Sequence, residues 1–372
     1  MNSYSKQLID DEDIASVVEA LKSPYLTGGN LVEKFQEDLA KYLGVKYCIV
    51  FSSGTAALHG AYVAAGLKEG DEFITTPLTF VATANAGLYL GGKVKFADTN
   101  YQGQISLKNI EKLINKKTKL IVPVDYAGNP CQIEEIVKLA KEKAVTVVED
   151  ASHALGSEIN RKKIGTFADM TVFSFHPVKP ITTFEGGAVV TNNKEFAEKL
   201  VRFRSHGIVK KSLWNQDMVE LGYNYRLSDV ACALGISQLK KLDFFTKKRE
   251  EIASFYDEAL KDIVGITTIK LPVEHKSSRH LYPILLDRDM LCSKENIYTE
   301  LQEKGVGVQV HYKPVHKHSF YKKFIKESFP IAEEFYKSEI SIPCHQGLTM
   351  EDAKKVVDIL KEVIEKNRGC KI

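Results

Sequence analysis

Long apolar runs, cysteine pairs and charge of a single sign are what this 372-residue chain has least of. No stretch approaches the ~18–20 continuous apolar residues of a membrane-spanning helix. The N-terminal run Met1-Asn2-Ser3-Tyr4-Ser5-Lys6 lacks the apolar core of a signal peptide. Six cysteines stand far apart, at 48, 131, 232, 292, 344 and 370, with no CxxC among them. That spacing indicates neither a zinc ribbon nor a dithiol redox site, and the expectation is reduced thiols in a cytoplasmic protein with no bound metal. Lysine and arginine number 51 against 48 aspartates and glutamates, mixed along the chain, for a net charge of +3. No basic stripe for nucleic acid results, although the small surplus suits an anionic small-molecule substrate. GxxxxGK[ST], a GxGxxG after a strand, HExxH and GxSxG are all missing, which removes the usual nucleotide, zinc-protease and serine-hydrolase signatures.

What is present is an alternation of two periodicities. Ile14, Val17, Val18 and Leu21, behind an acidic Asp10–Asp13 start, follow a helical spacing, and Leu31, Phe35, Leu39 and Leu43 give a second helix. Short β-rich runs follow at Tyr47–Phe51, Glu72–Thr76, Lys93–Asp98, Lys119–Asp125, Val145–Asp150, Met170–Phe175 and Gly187–Thr191, most of them separated by helical segments such as Ile133–Lys143. Apolar strands alternating with helices predict a largely parallel sheet covered on both faces. After Arg226 the pattern changes to two consecutive helices, Leu227–Leu242 and Lys247–Leu260. Strands are then predicted at Ile266–Leu271, Arg279–Leu286, Val306–His311 and Glu339–Pro343, with helices near 292–304, 331–337 and 350–366. The expected division is a large α/β domain over 1–246 and a smaller α+β domain over 247–372.

In parallel α/β sheets ligands bind at the carboxyl ends of strands, so the residues after each strand carry the functional reading. Tyr47–Phe51 runs into Ser52-Ser53-Gly54-Thr55-Ala56, where a helix N-terminus has free N–H groups for a phosphate; taken alone, these residues are more often a plain Ser/Thr cap with no ligand. The strand at 145–150 ends in Asp150, which can pair with a positive ligand nitrogen or merely cap the next segment, and His153 follows. Met170–Phe175 leads to Lys179, set between Pro177 and Pro180 in what should be a stiff, extended loop. Most loop lysines are solvated ammonium groups, but one held beside Val178, Ile181 and Phe184 would lose basicity and gain nucleophilicity. A phosphate cradle, a carboxylate for a ring nitrogen and a pinned lysine are together the requirements of pyridoxal phosphate.

At these residues, and at Leu26-Thr27-Gly28-Gly29, Glu185-Gly186-Gly187, Gly222-Tyr223-Asn224-Tyr225-Arg226 and His311-Tyr312-Lys313-Pro314, the chain resembles the DegT/DnrJ/EryC1/StrS sugar aminotransferases over nearly its whole length. Ser174-Phe175-His176-Pro177-Val178-Lys179 and Pro343-Cys344-His345 most resemble the branch that serves pseudaminic acid biosynthesis. The resemblance implies the aspartate-aminotransferase fold type I, with a large mixed, mostly parallel sheet. It implies pyridoxal 5′-phosphate anchored on Lys179, its ring nitrogen on Asp150 and its ring face on Phe80. His153 would stand near the ring hydroxyl, and Gly54, Thr55 and Ser174 would hold the phosphate. Asn224 would reach it from the neighbouring subunit of a homodimer with shared active sites. For the UDP-4-keto-6-deoxy-N-acetyl sugar it points to Tyr4, Tyr25, Leu26, Thr27, His311, Tyr312, Lys313 and Pro314, with L-glutamate as the amino donor. Phe184 stands where many relatives carry a small residue. The same chemistry on another nucleotide 4-keto-6-deoxy sugar, of the bacillosamine or legionaminic type, fits these motifs too. A non-catalytic protein on the same fold would have no need of Lys179 beside Asp150.

Overall fold

In a computed structural model, which describes residues 3–368, two capped helices open the chain. Asp10 caps Asp11–Lys22 in a reciprocal capping box with Asp13, and three acidic residues in the first turn complement the helix dipole. Asn30–Leu43 ends on Gly44, whose φ of 76° is the left-handed conformation that terminates a helix at little cost in glycine.

Seven strands then form one sheet, in the order Tyr47–Phe51, Gly187–Thr191, Met170–Ser174, Thr146–Asp150, Thr118–Val122, Glu72–Thr75, Lys93–Phe96. Gly187–Thr191 runs antiparallel to both neighbours and every other pairing is parallel, so the sheet is mixed but mostly parallel. One apolar cluster packs Phe35, Leu39, Ile133, Ile136, Cys232 and Leu239 on one face. A second gathers Leu58, Tyr62, Phe73, Ala84 and Leu200. Both faces are thereby covered, which is why the strands read as nearly continuous apolar runs. A third cluster fills the space between a three-stranded antiparallel sheet (Ile266–Thr268, Tyr282–Leu286, Glu339–Ile342) and the helices Lys294–Glu303 and Met350–Lys366.

Several sequence expectations need correction. The two helices predicted at 227–242 and 247–260 are one 31-residue helix, Asp229–Ala259. Residues 243–246 contain no glycine or proline, and Leu242, Phe245, Thr246, Arg249 and Ile252 continue the buried stripe through them. Val306–His311 forms no strand; a single bridge joins Gln309 to Ser341. Gly305, at φ 85°, and Gly307 interrupt the run and favour a turn. The strand predicted to reach Asp125 stops at Val122, because Pro123 has no N–H for the ladder. A hairpin, Ile208–Lys210 with Gln216–Met218, was not anticipated. Cys48, Cys131, Cys232 and Cys344 are buried free thiols. Cys292, expected to be reduced, is disulfide-bonded, and Cys370 lies outside the described residues. No helix among the described residues is long and apolar enough to cross a membrane.

Candidate active site

Five strands of the large sheet end around a cavity of about 610 Å³. Of the residues expected in a site, Tyr4, Gly54, Thr55, Phe80, Asp150, His153, Ser174, Lys179, His311 and Tyr312 all line it. Tyr25, Leu26, Thr27, Lys313, Pro314 and Asn224 do not. Tyr25 and Leu26 lie exposed on the connection between the first two helices, which Asp229 fastens by accepting the N–H groups of Gly29 and Leu31. Asn224 is exposed beside Ser205. An equally large groove, bordered by Gln36, Tyr47, Cys48, Lys194 and Val209, lies across the sheet edge and holds none of these residues.

The lysine is held by a turn, in place of the extended loop expected: the Lys179 N–H donates to the carbonyl of His176 at 2.9 Å. Pro177 has the fixed φ that such a turn wants at its first corner. Ser5 Oγ donates to the Val178 carbonyl at 2.9 Å and ties the N-terminal segment over the turn. Loss of water pushes the Lys179 amine down to about 8, against a smaller opposing pull from Asp150.

Asp150 is set by residues that motif reading missed. Its Oδ2 accepts from Thr83 Oγ1 at 2.7 Å, and its Oδ1 accepts from the Ser152 hydroxyl at 2.6 Å and the Ser152 N–H at 3.2 Å. It therefore does turn the chain, as the bland reading had it, and still lines the cavity. Thr79 lies 2.7 Å from Thr83, oxygen to oxygen, so a threonine pair one helical turn apart was the available signal. The Asp150 backbone is clamped as well: its N–H donates to Pro123 O, and its carbonyl accepts from Asp125 N–H.

Beneath it, Asp125 and Glu149 are wholly buried, and among the described residues neither forms an ion pair. Asp125 Oδ1 accepts from Cys131 N–H and Glu149 Oε2 from Thr171 Oγ1, each at 2.9 Å. Among the described residues Asp125 Oδ2 and Glu149 Oε1 have no hydrogen-bond partner. The two carboxyls stand within 4.8 Å of each other, and two negative charges so close in a dry interior favour the protonated form. These oxygens and the Cys131 sulfur lie within 4.8 Å of one another, but burial pushes the thiol well up, so it stays protonated and is a poor metal ligand. Burial also raises Asp125, to about 7, and Glu149 further above its ordinary value. The folded state thus retains a proton that the unfolded chain releases above about pH 4. This contribution is complete below that pH and fades as pH rises through 7. Glu149→Gln, whose amide donates without a titrating proton, is expected to gain relative to wild type as pH rises, by about 1.4 kcal/mol per unit between pH 5 and 7. Denaturant unfolding of both proteins across that range measures it, and parallel curves refute the retained proton.

The rest of the wall is aromatic and neutral. Tyr312 OH lies 3.0 Å from His153 Nε2, and His153 Nδ1 is buried without a partner among the described residues. Burial, reinforced by Lys179, keeps His153 uncharged far below its ordinary range. Opposite stands the N-terminus of helix Gly54–Ala64. Ser53 Oγ accepts from Ala56 N–H, so the serine is a true cap, yet it satisfies only one of the first-turn donors. A Cβ on Gly54 would lie 3.0 Å from Ser174 Cβ, and one on Gly187 would lie 2.7 Å from Gly54 N. The backbone there is packed too closely for any side chain.

Residues 7–361 match the profile of the DegT/DnrJ/EryC1/StrS aminotransferase family. The chain belongs to that family. It is 54% identical over 370 residues to a UDP-4-amino-4,6-dideoxy-N-acetyl-beta-L-altrosamine transaminase of Campylobacter jejuni, covering 98% of each chain. Among solved structures it is similar to Helicobacter pylori PseC, an aminotransferase involved in the biosynthesis of pseudoaminic acid, with TM-score 0.96 and 43% identity over 98% of this chain and 99% of that one. The PLP form of a putative sugar aminotransferase, Spr1654 of Streptococcus pneumoniae, superposes with TM-score 0.94 at 28% identity, over 98% of this chain and 99% of that one.

Aminotransferases of this family are pyridoxal-phosphate enzymes, and the residues present fit that cofactor. A helix N-terminus with unspent N–H groups suits a phosphate, and a buried imidazole nitrogen without a partner awaits a polar group. A lysine stripped of water and a carboxylate held by three donors occupy the same cavity.

Proposed function

We propose that this aminotransferase moves the amino group of L-glutamate to C4 of UDP-2-acetamido-2,6-dideoxy-β-L-arabino-hex-4-ulose, giving UDP-4-amino-4,6-dideoxy-N-acetyl-β-L-altrosamine for pseudaminic acid. For the substrate, the reading is carried by the 54% identity to the Campylobacter transaminase along both whole chains. When bound, pyridoxal phosphate supplies an electron sink and a carbonyl that carries the amino group between donor and acceptor. Lys179 anchors it and, once displaced, takes the donor's Cα proton on Nζ, a task its lowered basicity suits. Asp150 faces the ring nitrogen and holds its proton. Gly54, Thr55 and Ser174 take the phosphate, Phe80 covers the ring, and His153 offers Nδ1 to the ring hydroxyl. Tyr4, His311 and Tyr312 meet the sugar from the cavity wall, while Tyr25, Leu26, Thr27, Lys313 and Pro314 take its nucleotide end from outside it.

The reading includes a homodimer in which Asn224 completes the neighbour's phosphate site. Supporting it, the segment leading to Asn224 leaves Leu213, Trp214, Met218 and Leu221 exposed, an apolar surface that isolated proteins seldom leave open. Asn224→Ala is expected to weaken cofactor retention about tenfold, one lost hydrogen bond to a charged group; unchanged affinity in a fluorescence titration argues against the shared site. The third apolar cluster supports dividing the chain at 246/247; the four buried free thiols fit a cytoplasmic setting, while the disulfide at Cys292 does not add to that reading.

The test loads the holoenzyme with L-glutamate, removes 2-oxoglutarate, and supplies each C5 epimer of the UDP-4-keto sugar. Amino sugar from the β-L-arabino epimer alone, followed by mass spectrometry, is the expected result. Product only from the α-D-xylo epimer keeps the chemistry and overturns the substrate.

A further inference from the structure

Behind the cavity wall a buried hydrogen-bond chain ends on His311. The Ser341 hydroxyl donates its one proton to Glu339 Oε1 at 2.5 Å. The same hydroxyl oxygen lies 2.9 Å from His311 Nδ1. Having no second proton to give, that oxygen accepts, so Nδ1 carries the imidazole proton. Glu339 Oε2 meanwhile accepts the His311 backbone N–H at 2.7 Å, so one carboxylate holds the residue through both its ring and its main chain. The Tyr126 hydroxyl donates to the His311 carbonyl at 2.7 Å and completes the clamp.

Burial, with Lys179 across the cavity, pushes His311 down to about 3, so the ring is neutral at working pH. A neutral imidazole protonated on Nδ1 has a bare lone pair on Nε2. Among the described residues Nε2 has no hydrogen-bond partner, and His311 belongs to the cavity wall, with its ring against Tyr4 at 5.2 Å.

We propose that Glu339, acting through Ser341, fixes the Nδ1–H tautomer of His311, so that the unpartnered Nε2 of this cavity-lining residue is a hydrogen-bond acceptor for a hydroxyl or amide N–H of the sugar substrate. This rests on the function proposed above and deepens it. Glu339 is a positioning residue, since it touches no substrate. It and Ser341, two apart on the strand Glu339–Ile342, project to the same face, as a strand's period of two requires. The groups facing Glu339 are Lys294, Tyr126, Ser341 and His311. Lys294 opposes the burial that raises the carboxyl to about 7, so above that pH it is the acceptor the chain needs.

The experiment uses holoenzyme labelled with ¹⁵N-histidine, with long-range ¹H–¹⁵N spectra recorded at pH 8.5 and the His311 signals assigned by their loss in His311→Asn. Wild type is expected to show the Nδ1–H pattern. In Glu339→Gln the amide donates to Ser341, whose proton then turns to Nδ1, and the pattern should invert to Nε2–H. Ser341→Ala, which removes only one hydroxyl, should lose the preference and serves if the glutamine variant does not fold. In steady state both variants should raise KM for the 4-keto sugar about tenfold while the L-glutamate half-reaction keeps its rate. An Nε2–H signal in wild type, or a tautomer unmoved by either substitution, overturns the relay. An inverted tautomer with unchanged sugar KM overturns the recognition role. If wild type turns over no such sugar, the substrate reading has failed, and the spectra still decide the tautomer.

Discussion

Replacing Lys179 by alanine is expected to lower turnover by at least about 10⁴-fold while leaving the fold intact, because one amine serves as anchor and as proton carrier. An amine with a pKa near 8 is about half unprotonated at pH 8, whereas an ordinary lysine at about 10.4 is ~0.4% so. The half-dry cavity thus raises the fraction of reactive amine by about two orders of magnitude. The same desolvation costs stability. Below pH 8 the folded apoprotein holds an ammonium that is better solvated in the unfolded chain, and the penalty disappears as pH rises from 8 towards the unfolded value. The apo form of Lys179→Ala is therefore expected to melt above apo wild type at pH 7, with the gap closing by pH 10. Calorimetry on the two apoproteins and a turnover assay on the loaded ones check both halves. A variant that turns over within tenfold of wild type removes Lys179 from the mechanism. A variant less stable at pH 7 removes the desolvation argument.

Much of this was legible in the chain because the fold's requirements are local. Strands 47–51 and 187–191 were bounded to the residue by turn chemistry on either side, and Gly54, Asp150 and Lys179 announced themselves by standing at or just past strand ends, whereas Ser174 came from the family resemblance alone. What stayed hidden depends on pairings between distant segments. Thr83 and Ser152 matter because a helix and a turn bring them to one carboxylate. Glu339 and Ser341 are an ordinary strand pair until the 306–311 segment is laid beside them by a single bridge. Asp125 and Glu149 sit in predicted strands with nothing in the sequence to bring them together, and only their common burial raises both carboxyls. The division of helix 229–259 failed for the opposite reason: the charged run Lys247–Glu251 looks like a break, yet Arg249 within it is wholly buried, donating to Gln346 Oε1 and Cys344 O.

Asp150→Asn is expected to cost about 10³-fold in turnover with little change in stability. The asparagine has nearly the same shape, its oxygen can still accept from Ser152, and the Thr83 hydroxyl can turn its proton to the Phe80 carbonyl, 3.2 Å away. What the substitution removes is the negative charge, the one feature that favours a protonated ring nitrogen and with it the withdrawal of electrons from the donor's Cα. No neighbour can replace it. Glu149, next in the chain, accepts from Thr171 and stands beside Asp125 instead, as alternation along the strand places it. The other acidic side chain of the cavity, Glu185, is exposed. Rapid-mixing kinetics of the L-glutamate half-reaction should show the loss, and loading the variant with N-methylated pyridoxal phosphate, whose ring nitrogen is permanently positive, should restore much of it. A half-reaction within tenfold of wild type, or a loss the methylated cofactor does not relieve, means that Asp150 positions without supplying charge.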